Sequence, residues 1–237
     1  MTTTASTTPA PGSGSLLEML MRFFRRKLQS MGVDTRFFLE VMKDDEAGII
    51  ARRFAGGVVM YINFARDLIP DRFKVLGLID DIIVMTIGMS LCINNMPPER
   101  RAHYEEGYPA VKELAADIDQ LQRYLSLIWE RLLGYVRDLS RRRYRGQPME
   151  VVVDTPDLRE ALYDQTMEYL AAAAIDPDTL DEELKMLPRA HKIAGLLIDG
   201  LDRAEDAGKP EEIRDAPVGW ARLNRILGRD DGDAQLP

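Results

Sequence analysis

Apolar side chains recur three and four residues apart along most of the chain, the repeat of one helix face rather than the period of two of a half-buried strand. Ser15 is placed to cap a first helix to Gln29, with Leu16, Leu20, Phe23, Phe24 and Leu28 on one face and Arg22, Arg25, Arg26 and Lys27 opposite or flanking. A short second helix is expected after Asp34. A third is expected from Asp44 or Asp45 to Arg66 through Ile49, Ile50, Phe54, Val58, Tyr61, Ile62 and Ala65, with Gly56-Gly57 a weak spot or a close helix crossing. Pro70 ends that pattern. After Gly77 an apolar helix runs to about Asn94 and is stopped by Asn94-Asn95 and Pro97-Pro98.

The most regular pattern lies over 109–143, where Val111, Leu114, Ile118, Leu121, Leu125, Ile128, Leu132, Tyr135 and Leu139 form a heptad seam. It predicts one long helix of about 50 Å, either the spine of an intramolecular bundle or a homodimeric coiled coil. Arg141 to Pro148 reads as a basic exit, and Val151-Val152-Val153 is too short to establish a strand. Pro156 opens a helix to about Ala174, Asp176-Pro177 starts the next, Pro188 restarts it up to Gly208, and a last short helix covers 218–227. The fold class is therefore all-α, a multi-helix bundle with a helical hairpin over 58–93 and one long central helix. The expected organisation is a disordered tail over 1–14, a helical domain over 15–146, an acidic helical subdomain over 150–228 and a disordered tail over 229–237.

Composition narrows the class. With 237 residues, 46% hydrophobic and 30% charged, the chain can bury a core without a metal or disulfide staple, and its single cysteine, Cys92, allows no intramolecular disulfide. A lone thiol in an apolar run fits a reducing cytoplasm and reads as a small core residue. The net charge of −8 is unevenly spread: 21 basic against 18 acidic residues up to Met149, then 7 against 18 from Glu150 to Asp215. The acidic half would repel a phosphate backbone, so nucleic-acid binding is not expected. The basic cluster follows the first apolar stretch instead of preceding it, unlike a secretory signal, and Ile82 to Ile93 is too short to span a bilayer.

One segment carries more than periodicity. Tyr61, then Asp67-Leu68-Ile69-Pro70-Asp71, then Leu76-Gly77 and Asp80-Asp81 opening an apolar helix, resemble the YkvA-like domain family, a domain of unknown function found widely in bacteria. Phe64-Ala65-Arg66 stands where the family has Ser-Pro-Ile. The resemblance covers about Val58 to Ile93 and implies a helical hairpin, often described as membrane-associated or adaptor-like, with no settled activity.

Chemically, Asp80 and Asp81 sit where a helix start favours negative charge, Asp71 is placed to cap the turn, and Arg52, Arg53 and Arg66 are near enough in sequence to pair with the acids. The alternative is that Asp67, Asp71, Asp80 and Asp81 converge on Mg²⁺ or Ca²⁺ in a metal-dependent hydrolase. No phosphate loop, nucleophile elbow or paired-cysteine motif accompanies them, and His103 and His191 lie in no ligand spacing with Cys92. The resulting expectation is a non-enzymatic cytoplasmic interaction or scaffold protein without cofactor, with an unidentified protein partner, as a monomer or weak homodimer. Contact with the inner membrane face is expected through Phe23, Phe24, Arg22, Arg25, Arg26 and Lys27.

Overall fold

The computed structural model describes residues 16–64, 68–69, 75–172 and 190–206, and the chain is an all-α bundle with one two-stranded ribbon. In order come α1 (Leu16–Lys43), α2 (Ile49–Phe64), α3 (Ile79–Asn94), α4 (Pro98–Gly107), α5 (Pro109–Tyr124), α6 (Trp129–Leu139), β1 (Arg143–Tyr144), β2 (Gln147–Pro148), α7 (Met149–Asp154), α8 (Pro156–Ala172) and α9 (Ala190–Asp206). Short 3₁₀ turns, Asp45–Ala47 and Val75–Leu78, lead into α2 and α3. The tails over 1–14 and 229–237, the starts at Asp176-Pro177 and Pro188, and the last helix over 218–227 lie outside the described residues.

The apolar composition of α3 places it at the centre, because a helix that is hydrophobic on every side can bury all of them only among other helices. Thirteen of its 16 residues are buried, and it packs against α1, α2, α5 and α6. Its partner α2 in turn meets α1, α6, α7 and α8. Gly56-Gly57 is a close crossing: a Cβ on Gly57 would stand 2.7 Å from the Leu139 carbonyl carbon at the end of α6.

Three sequence expectations change. The first helix does not stop at Gln29; α1 runs unbroken to Lys43, so no separate second helix exists. Gly32 costs a helix only about 1 kcal/mol. That is offset by burial of Met31, Phe37 and Phe38 and by Thr35 Oγ1 donating to the Met31 carbonyl at 2.8 Å. The 109–143 helix is two helices, broken over Leu125 to Ile128, where neither glycine nor proline marks the stop. Leu125 and Ile128 are buried while Leu127 is 96% exposed, so the chain changes direction and still turns the seam inward. Val111, Leu114, Leu121, Leu132 and Leu139 are buried in the chain's own core, which makes the seam part of an intramolecular bundle.

The third change concerns the basic exit, which is a tight ribbon. Arg143 pairs with Pro148 and Tyr144 with Gln147 around Arg145 and Gly146, whose φ values of 49° and 73° are both positive, as a two-residue primed turn requires. The three valines beyond it are helical, because Val152 and Val153 pack against α2 at 0% exposure and packing overrides their β propensity. Met149, Val152, Leu162, Leu197 and Leu201 belong to the same buried cluster as α1 to α6, so the core continues across residues 146–150.

Candidate functional site: a buried tyrosine–aspartate junction

The turn between α2 and α3 is organised from beneath by two side chains of the motif. Tyr61, near the end of α2, donates its hydroxyl to Asp80 Oδ2 at 2.7 Å, and Asp80 lies in the first turn of α3. The same oxygen accepts the Ile69 N–H at 3.1 Å, while the Tyr61 oxygen accepts the Leu68 N–H at 3.3 Å. One carboxylate oxygen and one phenol thus hold both helices and the peptide between them. Tyr61, Ile69, Asp80 and Asp81 are all 0% exposed, and Leu68 and Gly77 are buried with them. A carboxylate here is favoured by its donors and by the unpaired N–H groups and dipole of the α3 N-terminus.

Closure from above comes from α9, a contribution no motif announces. Gly200 lies so close to the Leu68 carbonyl that a Cβ there would collide with it, and Arg203 Nη2 donates to that carbonyl at 3.0 Å. The only sequence signal is a glycine in the middle of an amphipathic helix, which reads equally well as a weak helical position. Arg131 on α6 fixes the same helix by pairing with Asp202 at 2.7 Å and Glu205 at 2.9 Å.

The arginines expected to neutralise the motif are engaged elsewhere. Arg52 donates to the Met42 carbonyl at 3.2 Å and to the Val153 carbonyl, and pairs with Asp154 at 2.9 Å and Asp45 at 3.2 Å. Arg53 reaches the Ser140 carbonyl at 3.4 Å and Glu150 at 3.7 Å. Both lie two turns or more before Tyr61, so they serve the α2–α7 contact rather than the hairpin turn. Arg66, Asp67, Pro70 and Asp71 lie outside the described residues, and of Leu76 only the backbone, in the turn Val75–Leu78, is described. Among the described residues no three His, Cys, Asp or Glu side chains gather as a cation site.

The expected membrane face on α1 is corrected by burial. Phe23 and Phe24 are 2% and 0% exposed and stack edge-to-face at 5.3 Å inside the core. Lys27 is buried as well, 3.1 Å from Asp117 of α5 and 3.5 Å from Asp34, while Arg26 pairs with Asp117 and Glu113. Arg22 and Arg25 of the basic cluster are exposed. In this α1–α5 cluster, burial raises the Asp34 carboxyl above the ordinary aspartate range, opposed by Lys27 and by the Ser30 hydroxyl at 3.1 Å.

The remaining candidates are structural in their surroundings. Cys92 is buried against the Ala51 carbonyl at 3.5 Å, and burial pushes its thiol well above the ordinary range, away from nucleophilic use. His103 is exposed on α4 with its ring against Tyr104, and the side chain of His191 is outside the described residues. A second polar node, unforeseen in the sequence, joins α4 to the start of α2: Asp44 caps the 3₁₀ turn and accepts Arg100 at 2.6 and 2.9 Å and the Tyr104 hydroxyl at 3.1 Å.

No curated protein and no solved structure matches the chain. No helix among the described residues is long and apolar enough to cross a membrane. The α2–α3 hairpin built on Tyr61 and Asp80 falls within residues 51–87, which match the family described as "Protein of unknown function (DUF1232)", in agreement with the YkvA-like resemblance of the motif.

Proposed function

We propose that the chain is a non-enzymatic, cytoplasmic interaction or scaffold protein in which the family hairpin is the internal brace of a helical bundle. One observation carries this reading: Asp80, the motif carboxylate with two donors on one oxygen, is 0% exposed and ties Tyr61 to the peptide of Ile69. A hydrolytic carboxylate has to reach substrate, water or a metal with open coordination positions, whereas this one reaches two groups of its own turn. The buried free thiol of Cys92 supports a reducing compartment, and the inward seam of α5 and α6 supports a monomer or weak homodimer.

Thermal denaturation with and without divalent cations tests the reading. Asp80→Asn lowers the melting temperature, and millimolar Mg²⁺ or Ca²⁺ leaves wild type and variant unmoved. A rise of several degrees in wild type with metal, abolished in Asp80→Asn or Asp81→Asn, would overturn it in favour of a metal-dependent hydrolase, because a ligand that binds only the native state stabilises it.

A further inference from the structure

Two exposed surfaces of opposite charge lie on different elements of the chain. The basic one surrounds the ribbon: Arg137, Arg141, Arg143 and Arg145 are exposed and Arg142 is half-buried, with Asp138 the one acid over 137–145. Asp138 pairs with Arg141 at 2.9 Å, which leaves the other arginines in excess. Neutral groups steady them. Arg142 lies over the Tyr135 ring at 4.9 Å, Arg145 lies over the Tyr144 ring at 5.3 Å, and Arg143 donates to the Gly146 carbonyl at 2.8 Å. Guanidinium groups already held this way lose little freedom when an acid meets them.

The acidic surface is a stripe on α8. Asp157, Asp164 and Glu168 are all exposed, and their spacing of seven and four residues puts them on one side of the helix over a rise of about 16 Å. None of the three has an ion-pair partner among the described residues. The neighbouring Glu160 pairs with Lys43 at 2.8 Å. Arg159, the sole cation of α8, lies on the opposite side of the helix, where it meets the Val153 carbonyl at 3.3 Å and Asp45 at 3.7 Å. Asp164 and Glu168 stand four residues apart, a like-charge pair that weakens a helix until a cation is placed against it.

We propose that two copies of this chain associate by setting the ribbon arginines of one against the α8 stripe of the other. The proposal rests on the interaction reading above and names the partner, a second copy. Charge complementarity carries it, because a second copy satisfies both surfaces at once. A nucleic acid would use the arginines alone, its phosphates would meet a net charge of −8, and the rings that single-stranded bases would stack on are covered: Tyr144 is 3% exposed and Tyr135 lies beneath Arg142. The same net charge opposes the approach of two copies, but at about 0.1 M salt it is screened beyond roughly 10 Å, whereas a guanidinium and a carboxylate in contact stand within about 4 Å. Exposed ion pairs are individually weak, so the association is weak and salt-sensitive. The two surfaces differ, which makes the contact heterologous.

Light scattering and sedimentation of the full chain over a concentration series decide the proposal. At about 0.1 M salt the average mass rises with concentration, and at about 1 M salt, where the screening length falls to about 3 Å, the chain is monomeric. Arg137→Glu/Arg143→Glu/Arg145→Glu and Asp157→Lys/Asp164→Lys/Glu168→Lys each raise the dissociation constant by roughly 10-fold or more. Mixed in equal amounts, the two variants associate with each other, because the unchanged arginines of one meet the unchanged acids of the other and the reversed surfaces are complementary as well. Arg22→Glu/Arg36→Glu/Arg123→Glu shifts the net charge as far as the ribbon variant does and costs far less. Circular dichroism verifies that each variant is folded, and the substituted side chains are all exposed, so the core is untouched. A chain that stays monomeric at about 1 mM in about 0.1 M salt, association that survives either reversal, or a mixture of the two variants that stays monomeric overturns the proposal. So does binding of a duplex oligonucleotide through the ribbon by a chain that remains monomeric. The metal titration above is read at one protein concentration, so the two readings fail separately.

Discussion

Two regions of this protein bury carboxylates, and they do so by different means. At the hairpin, Asp80 in the first turn of α3 accepts from a tyrosine hydroxyl and a backbone N–H on one oxygen. Between α1 and α5, Asp34 and Asp117 are balanced by charges, with Lys27 buried between them and Arg26 reaching Asp117 from the rim. The first arrangement is local, made by residues 61–80, and its donors are oriented by the backbone that they also fix. The second joins side chains about 90 residues apart, and the α1–α5 contact is needed to assemble it. At the hairpin, a hydroxyl and an amide donor converge on one carboxylate oxygen. Between α1 and α5, burial outweighs the pairing with Lys27 and leaves Asp34 with its carboxyl raised.

The largest expected effect comes from removing the shared cation. Lys27→Met leaves Asp34 and Asp117 buried without their lysine, and breaking a buried pair by deleting one partner costs about 3–5 kcal/mol. Urea denaturation measures it, and a loss below about 1 kcal/mol would show that water or Arg26 replaces the lysine. At the hairpin, Asp80→Ala strands the Tyr61 hydroxyl and the Ile69 N–H in the core, with an expected cost of about 2–4 kcal/mol, whereas Tyr61→Phe removes a donor and an acceptor together with a cost of about 1–2 kcal/mol. If the two substitutions are combined, their costs should fall short of the sum, because they share one bond. Full additivity would mean that the junction is not a unit.

The smallest effect separates the two regions by pH. The folded pKa of Asp34 lies above its unfolded value of 3.8, so the folded state binds the extra proton between the two. The contribution of this group to stability is therefore complete below pH 3.8 and is lost as pH rises through the raised folded value. Relative to Asp34→Asn, wild type gains stability as pH falls from neutral toward 4. Paired melts across that range check it. A difference that stays flat with pH would place Asp34 as a fully ionised partner of Lys27.

The same division runs through what could be read before the fold was known. The hairpin was legible because its signals are local: an apolar run long enough for a buried helix, a proline stop, a glycine before the second helix, and a paired aspartate where the helix dipole favours it. The close crossing at Gly56-Gly57 was one of two open readings, and the Leu139 carbonyl against Gly57 decides it. The amphipathic face of α1 was also visible, but period alone does not say whether Phe23 and Phe24 meet lipid or protein. Burial at 2% and 0% answers that.

By itself the sequence determined the helical class, the α2–α3 hairpin with its motif, and the inward stripe of Val111, Leu114, Leu121, Leu132 and Leu139, since each follows from spacing along a chain of fixed helical period. Tertiary structure alone decided that the stripe breaks at Leu125 to Ile128, that Arg52 and Arg53 serve α7 instead of Asp80, and that Gly200 and Arg203 of α9 close over Leu68. The physical reason is common to all three: a helix period specifies which side chains share a face, and the partner of that face is selected by packing among segments that the chain brings together from far apart.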